Sequence, residues 1–136
     1  MDPRGATVYL VEDSTIICRL LTELIEAAGA KVVGQAATAS EAIADIVEVR
    51  PHAIIVDVRL REGTGFDVLE AVAINSDGEP PRRIVLTNFA TDPYRIAARQ
   101  LGVDHFFDKA TDMREAVALA ASMESTAGDS HNAMAA

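Results

Sequence analysis

The chain has 136 residues, of which 49% are hydrophobic, so it is long enough and apolar enough to form one domain with its own core. Its 21 acidic and 12 basic residues give a net charge of −9, which argues against sequence-independent nucleic-acid binding, since that binding depends on basic surface. No apolar run approaches the roughly 20 residues of a membrane span, and we recognise no export signal at the start of the sequence. The single cysteine, Cys18, cannot form an internal disulfide. We therefore expect a soluble cytoplasmic domain.

The first predicted elements are a strand and the helix that follows it. The β-rich run Thr7–Val11 predicts the strand, and Asp13 or Ser14 can cap a helix that runs to about Ala28. Gly29 is a suitable stop for this helix. Its predicted core face, at three-and-four spacing, consists of Ile17, Leu20, Leu21, Leu24 and Ala28.

A second strand and helix come next. Lys31–Ala37 predicts the strand, and Thr38 with Glu41 forms the capping-box pattern of a helix that Pro51 ends. The apolar residues of this helix are Ile43, Ile46 and Val47.

A short apolar run after Pro51 is the central strand of the prediction. Ala53–Val56 contains no polar residue, which suits a strand that is buried on both faces of a sheet. Asp57 follows it directly, where a strand reaches the carboxyl edge of an open α/β sheet and ligands commonly bind. Gly63 and Gly65 supply the turn beyond. A third helix is then indicated by Phe66, Leu69 and Ala73.

Two more strand–helix pairs follow the loop at residues 75–81. They are a strand at Ile84–Leu86 closed by Thr87, a helix from Asp92-Pro93 to Leu101-Gly102, a strand at His105–Phe107 and a helix from Asp112 to about Met123. Residues 1–124 are thus predicted to form one domain and residues 125–136 a disordered tail.

Alternating strands and helices predict an α/β fold. We expect a flavodoxin-like, doubly wound (βα)5 domain, whose five-stranded parallel sheet has the order 2-1-3-4-5 and helices on both faces. In that order the ends of the first, third, fourth and fifth strands meet at one edge of the sheet. The polar residues at these ends are Glu12, Asp13, Asp57, Thr87 and Lys109.

The chemistry of these residues is that of a phosphoryl-transfer site. Carboxylates gathered at one edge repel each other unless a cation neutralises them, and Mg²⁺ commonly binds one or two carboxylates together with a phosphate. Lys109 offers an ammonium group and Thr87 a hydroxyl group to phosphate oxygens, so Asp57 is the candidate nucleophile of an acyl phosphate. Taken singly, Asp13 is more typical of a helix cap and Lys109 of a solvated surface lysine, while Thr87 is equally typical of an ordinary strand residue.

The chain resembles the receiver domains of response regulators in two-component signalling, from about Thr7 to Met123. The motifs that carry the resemblance are VEDS after the first strand, VDVRLREGTGFDVL around Asp57, VLTN at the end of the fourth strand and GVDHFFDKA around Lys109. By this resemblance Asp57 is the phosphoacceptor. Glu12 and Asp13 would hold Mg²⁺ together with Asp57 and the main-chain carbonyl of Arg59.

The resemblance also implies how a phosphorylated domain changes. Thr87 and Lys109 would bind the phosphoryl group, and Phe106 would be the rotating aromatic switch, with Phe107 in the core, although the sequence also permits the opposite assignment. Phosphorylation would then alter the face formed by the fourth helix, the fifth strand and the fifth helix.

Several positions depart from the commonest pattern of these receivers. Lys109 is followed by Ala110 where proline is usual, Arg61 replaces the proline of a common turn, and Asn88 follows Thr87 where alanine is frequent. Arg59 and Phe89, each two residues beyond a site residue, should flank the route by which water attacks the phosphoryl group, and we expect the bulky Phe89 to slow hydrolysis.

The output of the domain stays open at this point. A sensor histidine kinase or a histidine phosphotransfer protein would donate the phosphoryl group. The domain, expected to act alone, would then bind an effector protein through the switching face, where Tyr94, Arg95 and Arg99 lie, or serve as a phosphorelay intermediate or phosphate sink. We expect no direct binding to DNA or membrane, no enzymatic activity beyond its own phosphorylation and dephosphorylation, and either a monomer or a phosphorylation-dependent dimer.

Enzymes of other classes fit less well. A phosphatase with an aspartyl nucleophile needs a second acid two residues after the nucleophile, where this chain has Arg59. A dinucleotide site needs a glycine-rich turn after the first strand, where this chain has EDS.

Overall fold

A computed structural model describes residues 5–75, 78–103 and 105–122 of the chain. Strands and helices alternate along these ranges. In chain order they are β1 (Thr7–Val11), α1 (Thr15–Ala27), β2 (Lys31–Ala36), α2 (Ala39–Val49), β3 (Ala53–Val56), α3 (Gly65–Asn75), β4 (Arg82–Thr87), α4 (Asp92–Gln100), β5 (His105–Asp108) and α5 (Met113–Ala121). The predicted tail, residues 125–136, lies outside the described residues.

The strands form one parallel sheet in the order β2-β1-β3-β4-β5, which confirms the predicted fold class. β1 and β3 are neighbours although a complete strand–helix unit separates them in the chain, so the direction of winding reverses between them. All four residues of β3 are buried, as expected for a strand covered on both faces.

Two apolar layers cover the two faces of the sheet. α1 and α5 pack on one face, where Leu21, Ile25 and Val117 are buried. α2, α3 and α4 pack on the other, where Ile46, Leu69 and Ala98 are buried. Because both faces are covered, the edge at which the strands end is left for polar side chains.

Local signals place the helix ends where the sequence predicts them. The Ser14 hydroxyl oxygen accepts a hydrogen bond from the Ile17 N–H at 3.2 Å and caps α1. The Thr38 hydroxyl oxygen accepts one from the Glu41 N–H at 3.3 Å and caps α2. Gly102, with φ +84°, follows the end of α4 in the left-handed region, which favours glycine.

The helix faces differ from the predicted ones. In α1 the buried residues are Cys18, Leu21 and Ile25, and the predicted core residue Leu20 is 40% exposed. In α3 the predicted Ala73 is exposed, and the buried residues are Gly65, Val68, Leu69 and Val72. These helices carry broad apolar sectors, so more than one set of apolar residues could face the sheet. Hydropathy alone does not distinguish the two arrangements.

None of the helices in the described ranges is both long and apolar enough to cross a lipid bilayer.

Candidate functional site

The polar residues at the strand ends are brought together by the parallel sheet. Asp57 directly follows β3, and its N–H donates to the Val11 carbonyl at the end of β1 at 2.9 Å. Lys109 directly follows β5, and its N–H donates to the Thr87 carbonyl at the end of β4 at 2.9 Å. The backbone ladder therefore continues one residue past the strands and carries these side chains to the same edge.

Lys109 is the centre of this edge. Its ammonium group donates to Glu12 Oε1 at 2.7 Å and to Asp57 Oδ2 at 2.9 Å, and all three residues are buried. Glu12 Oε2 accepts a further hydrogen bond from the Ser14 N–H at 2.9 Å. A buried cation thus holds two carboxylates from strands that are distant in the sequence.

Burial and pairing act in opposite directions on the titration of these groups. Burial lowers the pKa of Lys109, but the hydrogen bonds to Asp57 and Glu12 outweigh it and hold this pKa above its usual value. Burial raises the pKa of Glu12, and the hydrogen bonds from Lys109 and Ser14 only partly oppose it. The lysine is therefore charged at neutral pH.

The three acids at this edge fit a small divalent cation. Glu12, Asp13 and Asp57 each offer a carboxylate oxygen within 4.8 Å of the others. Asp13 is the most exposed of the three, and Asp57 Oδ1 is buried without a hydrogen-bond partner among the described residues. A buried carboxylate oxygen without a donor needs a cation or an incoming group, and oxygen ligands of this kind suit Mg²⁺. The donor set thus fits Mg²⁺, and Lys109 holds only the other oxygen of Asp57.

Thr87 is fully buried, and its hydroxyl oxygen accepts a hydrogen bond from the Phe89 N–H at 3.1 Å. Phe89 itself is 39% exposed, and the Arg59 guanidinium lies 4.5 Å from the centre of its ring. Arg59 also pairs with Thr64 in an isolated antiparallel bridge, which holds the backbone of the β3–α3 turn. The residues two positions beyond Asp57 and Thr87 are therefore in contact with each other.

The two phenylalanines of β5 lie on opposite faces of the sheet. Phe107 packs against the layer of α1 and α5, and Phe106 packs against the layer of α2, α3 and α4. The Arg95 guanidinium of α4 lies 4.7 Å from the centre of the Phe106 ring and donates to the Phe106 carbonyl at 3.5 Å. Tyr94 makes an edge-on contact with Phe66 of α3, with ring centres 5.6 Å apart.

Gly65 is a residue whose importance sequence reasoning missed. The sequence indicates only a turn at this position, but a Cβ atom there would lie 2.2 Å from the Asp57 carbonyl oxygen and 2.8 Å from Val56 Cγ1. Its N–H donates to the Val58 carbonyl at 2.8 Å. The start of α3 thus packs directly against the backbone of Asp57, and only glycine fits. The glycine in the motif GTG was the available signal.

Comparisons with known proteins agree with this geometry. The profile of the response regulator receiver domain matches residues 8–121. Acid tolerance regulatory protein ActR of Rhizobium meliloti (strain 1021) is 31% identical over 112 residues, which cover 82% of this chain and 56% of that protein. The chain thus spans about half the length of this curated relative.

Two further proteins are similar over most of their own length. An uncharacterized 14.6 kDa protein of Leptolyngbya boryana is 30% identical over 112 residues, covering 82% of this chain and 85% of that protein. The structure of chemotaxis protein CheY4 of Vibrio cholerae superposes with a TM-score of 0.73 at 27% identity, covering 82% of this chain and 92% of that one. The chain belongs to the response regulator receiver domain family of two-component signalling proteins.

Proposed function

We propose that this domain accepts a phosphoryl group on Asp57 from a phosphohistidine of a sensor histidine kinase or a histidine phosphotransfer protein. The observation that carries the proposal is the state of the Asp57 carboxylate. Lys109 holds Oδ2 at 2.9 Å, and the buried Oδ1 has no partner among the described residues. In the transfer an oxygen of Asp57 forms a bond to phosphorus as the phosphorus–nitrogen bond of the donor breaks.

Mg²⁺ is the cofactor of the proposal. Asp13, Asp57 and the main-chain carbonyl of Arg59 would bind it, with Glu12 at the same edge. When bound, the ion offsets the negative charge that builds up as phosphoryl oxygens approach the carboxylates.

In this proposal Thr87 and Lys109 bind the phosphoryl group once it is attached to Asp57. The Thr87 hydroxyl already accepts from Phe89 N–H, so its own hydrogen is left to donate to a phosphoryl oxygen. The Lys109 ammonium group provides a charge within reach of the same group. Receiver domains are signalling proteins, and the chemistry proposed here is limited to the domain's own phosphorylation and dephosphorylation.

The direct test is phosphorylation by acetyl phosphate with and without Mg²⁺, followed by intact mass. Wild type should gain one phosphoryl group only with Mg²⁺, and Asp57→Asn should gain none. Asp92→Asn, which changes an exposed acid at the start of α4, is the matched control and should behave as wild type. Modification that persists in Asp57→Asn would show that another residue is the acceptor.

The lifetime of the phosphorylated form is proposed to depend on the stacked pair Arg59 and Phe89. Their contact at 4.5 Å puts a bulky group beyond Asp57 and Thr87, on the route we propose for the attacking water. Phe89→Ala should therefore lose its phosphoryl group faster than wild type, while Phe89→Leu, which keeps an apolar bulk, should be less affected. An unchanged dephosphorylation rate in Phe89→Ala would contradict this role.

Phe106 is the proposed aromatic switch on the face formed by α4, β5 and α5 (the α4-β5-α5 face). It lies beside α4, and Arg95 stacks on its ring and also bonds its carbonyl. A shift of the chain after β4 toward a phosphoryl group would change the space into which this ring can turn. Amide chemical shifts of α4 and β5 should therefore change with beryllofluoride in wild type and change much less in Phe106→Ala.

A protein donor is expected to contact the start of α1, next to the acidic edge. Ile16 and Leu20 lie one turn apart on this helix and are 78% and 40% exposed. Ile16→Asp should slow transfer from a kinase or phosphotransfer protein without slowing phosphorylation by acetyl phosphate. Ile74→Asp on α3, where the side chain is 74% exposed, is the matched control. Equal transfer rates in the two variants would place the donor elsewhere.

Two outputs remain to be distinguished. As a stand-alone cytoplasmic module, the domain would bind an effector protein through the α4-β5-α5 face when phosphorylated. As a phosphorelay intermediate or phosphate sink, it would only exchange phosphoryl groups with its donors. Affinity capture with beryllofluoride-treated protein separates them. A bound partner that is neither kinase nor phosphotransfer protein, and that is lost with Phe106→Ala, favours the effector output.

A further inference from the structure

Two aspartates hold the turn between β5 and α5, residues 108–112. Asp108 Oδ1 accepts a hydrogen bond from the Ala110 N–H at 2.8 Å, and Asp112 Oδ2 accepts one from the Asp108 N–H at 3.0 Å. The Asp108 carbonyl accepts from the N–H groups of Thr111 and Asp112 at 3.2 and 2.8 Å. Asp112 occupies the N-cap position of α5, but its side chain makes no cap hydrogen bond to that helix and binds the end of β5 instead.

Lys109 lies in the middle of this turn. Its own N–H donates to the Thr87 carbonyl at 2.9 Å, and the N–H groups before and after it are bound by the two aspartates. Three successive backbone groups around the lysine are therefore held. A lysine side chain has several rotatable bonds, so the position of its backbone decides which oxygens the ammonium group can reach.

Ala110 supplies one of the donors in this turn. Alanine leaves its φ angle free and keeps an N–H group, whereas a proline at this position would restrict φ and have no N–H to satisfy. The hydrogen bond from the Asp108 N–H, followed by weaker contributions, lowers the pKa of the Asp112 carboxyl, so Asp112 accepts as a charged group. Hydrogen bonds to charged acceptors are stronger than neutral ones.

We propose that Asp108 and Asp112 are positioning residues for Lys109: they set the β5–α5 turn so that the ammonium group reaches Glu12 and Asp57. The inference deepens the proposed function, since it rests on a role of Lys109 at the phosphoryl site. Neither aspartate touches the reacting atoms.

The first experiment measures the position of Lys109 without any phosphorylation. The chain contains two lysines, Lys31 and Lys109, so ¹⁵N-lysine labelling of the full chain yields at most two ammonium signals, and Lys31→Arg assigns them. The ammonium group of Lys109 is bound to two carboxylates and should give a slowly exchanging signal. Asp112→Ala should shift or abolish this signal, and Asp112→Asn, whose amide oxygen can still accept from the Asp108 N–H, should retain it.

The second experiment measures the rate of Asp57 phosphorylation by acetyl phosphate. Asp112→Ala should slow it by roughly tenfold, the lower end of what loss of an orienting hydrogen bond costs at metal sites, and Asp112→Asn should restore most of the rate. Thr111→Ala removes only the 3.0 Å contact of the Thr111 hydroxyl with Asp112 Oδ1 in the same turn and should react as wild type. In a Lys109→Ala background the Asp112→Ala change should add no further slowing.

The outcomes separate positioning from general stability. The proposal would be overturned if Asp112→Ala folds and keeps both the Lys109 ammonium signal and the phosphorylation rate of wild type. It would also be overturned if Asp112→Ala slows phosphorylation equally in the Lys109→Ala background. Should Asp112→Ala fail to fold, Asp112→Ser keeps a good N-cap residue with too short a side chain to reach β5 and is read by the same criteria. If wild type accepts no phosphoryl group, the proposed function fails, while the lysine signal still decides the positioning role.

Discussion

Replacement of Gly65 by alanine tests the architecture of the site most directly. The added Cβ would lie 2.2 Å from the Asp57 carbonyl oxygen, about 1.2 Å short of the 3.4 Å at which ordinary contact begins. Gly65 is the first residue of α3, so helix propensity favours alanine there by less than the about 1 kcal/mol of a helix interior. The clash is with backbone and outweighs this gain, so we expect the free energy of unfolding to fall by about 2 kcal/mol, within the range for overpacked cores.

The same clash should reach the chemistry. If the Asp57 backbone moves by about 1 Å, the rate of phosphorylation should fall by about 100-fold, because reacting groups tolerate little misplacement. Urea unfolding followed by circular dichroism measures the first effect, and acetyl phosphate with intact mass measures the second. Gly78→Ala is the control: its Cβ would meet nothing within 4 Å, but φ is +83°, so it should lose stability without slowing phosphorylation. A Gly65→Ala variant as stable and as reactive as wild type would refute the reasoning.

Three further predictions concern a buried thiol next to the phosphoryl site and two side chains elsewhere in the fold. Burial, with a smaller contribution from nearby acids, raises the pKa of the Cys18 thiol from 9.0 to about 11. The native protein should therefore react very slowly with iodoacetamide at pH 8, and rapid alkylation would contradict this. Its free energy of unfolding should decrease between pH 9 and 11, because in this range the thiol ionises in the unfolded chain only. The Arg83 guanidinium donates hydrogen bonds to the carbonyls of Leu101 and Gly102, just beyond the end of α4, at 3.1 and 3.4 Å. Arg83→Met should therefore lower the free energy of unfolding by about 1 kcal/mol, against under about 0.5 kcal/mol for the exposed Arg99→Met. Tyr9 is fully buried and its hydroxyl donates to Asp45 Oδ2 at 2.7 Å, so Tyr9→Phe should cost about 1 kcal/mol in urea unfolding, and an unchanged midpoint would show that this hydrogen bond adds nothing.

The order and type of the elements could be predicted from the sequence because they depend on local patterns. Apolar, β-rich runs of four to six residues, such as Ala53–Val56, form the strands. Ser14, Thr38 and Gly102 mark helix ends through bonds and angles that involve only their near neighbours. Parallel order then follows from the alternation of strands and helices.

The candidate site could be predicted for a related reason. In a parallel sheet every strand ends at the same edge, so the residue after each strand can be assigned to that edge without knowing any distance. This rule places Glu12, Asp57, Thr87 and Lys109 together, and the structure adds that Lys109 bonds both carboxylates and leaves one oxygen of Asp57 without a partner.

Contacts between segments distant in the sequence were decided only by the tertiary structure. Hydropathy assigns Leu20 and Ala73 to core faces, but both are exposed, because the packing of each helix on the sheet selects among apolar residues that hydropathy treats as equal. The sequence indicates only a turn at Gly65, and the structure shows that the Asp57 carbonyl lies too close to this residue for a side chain. The sequence alone thus determined which residues reach the edge of the sheet, while the packing of the chain against itself determined which atoms they touch there.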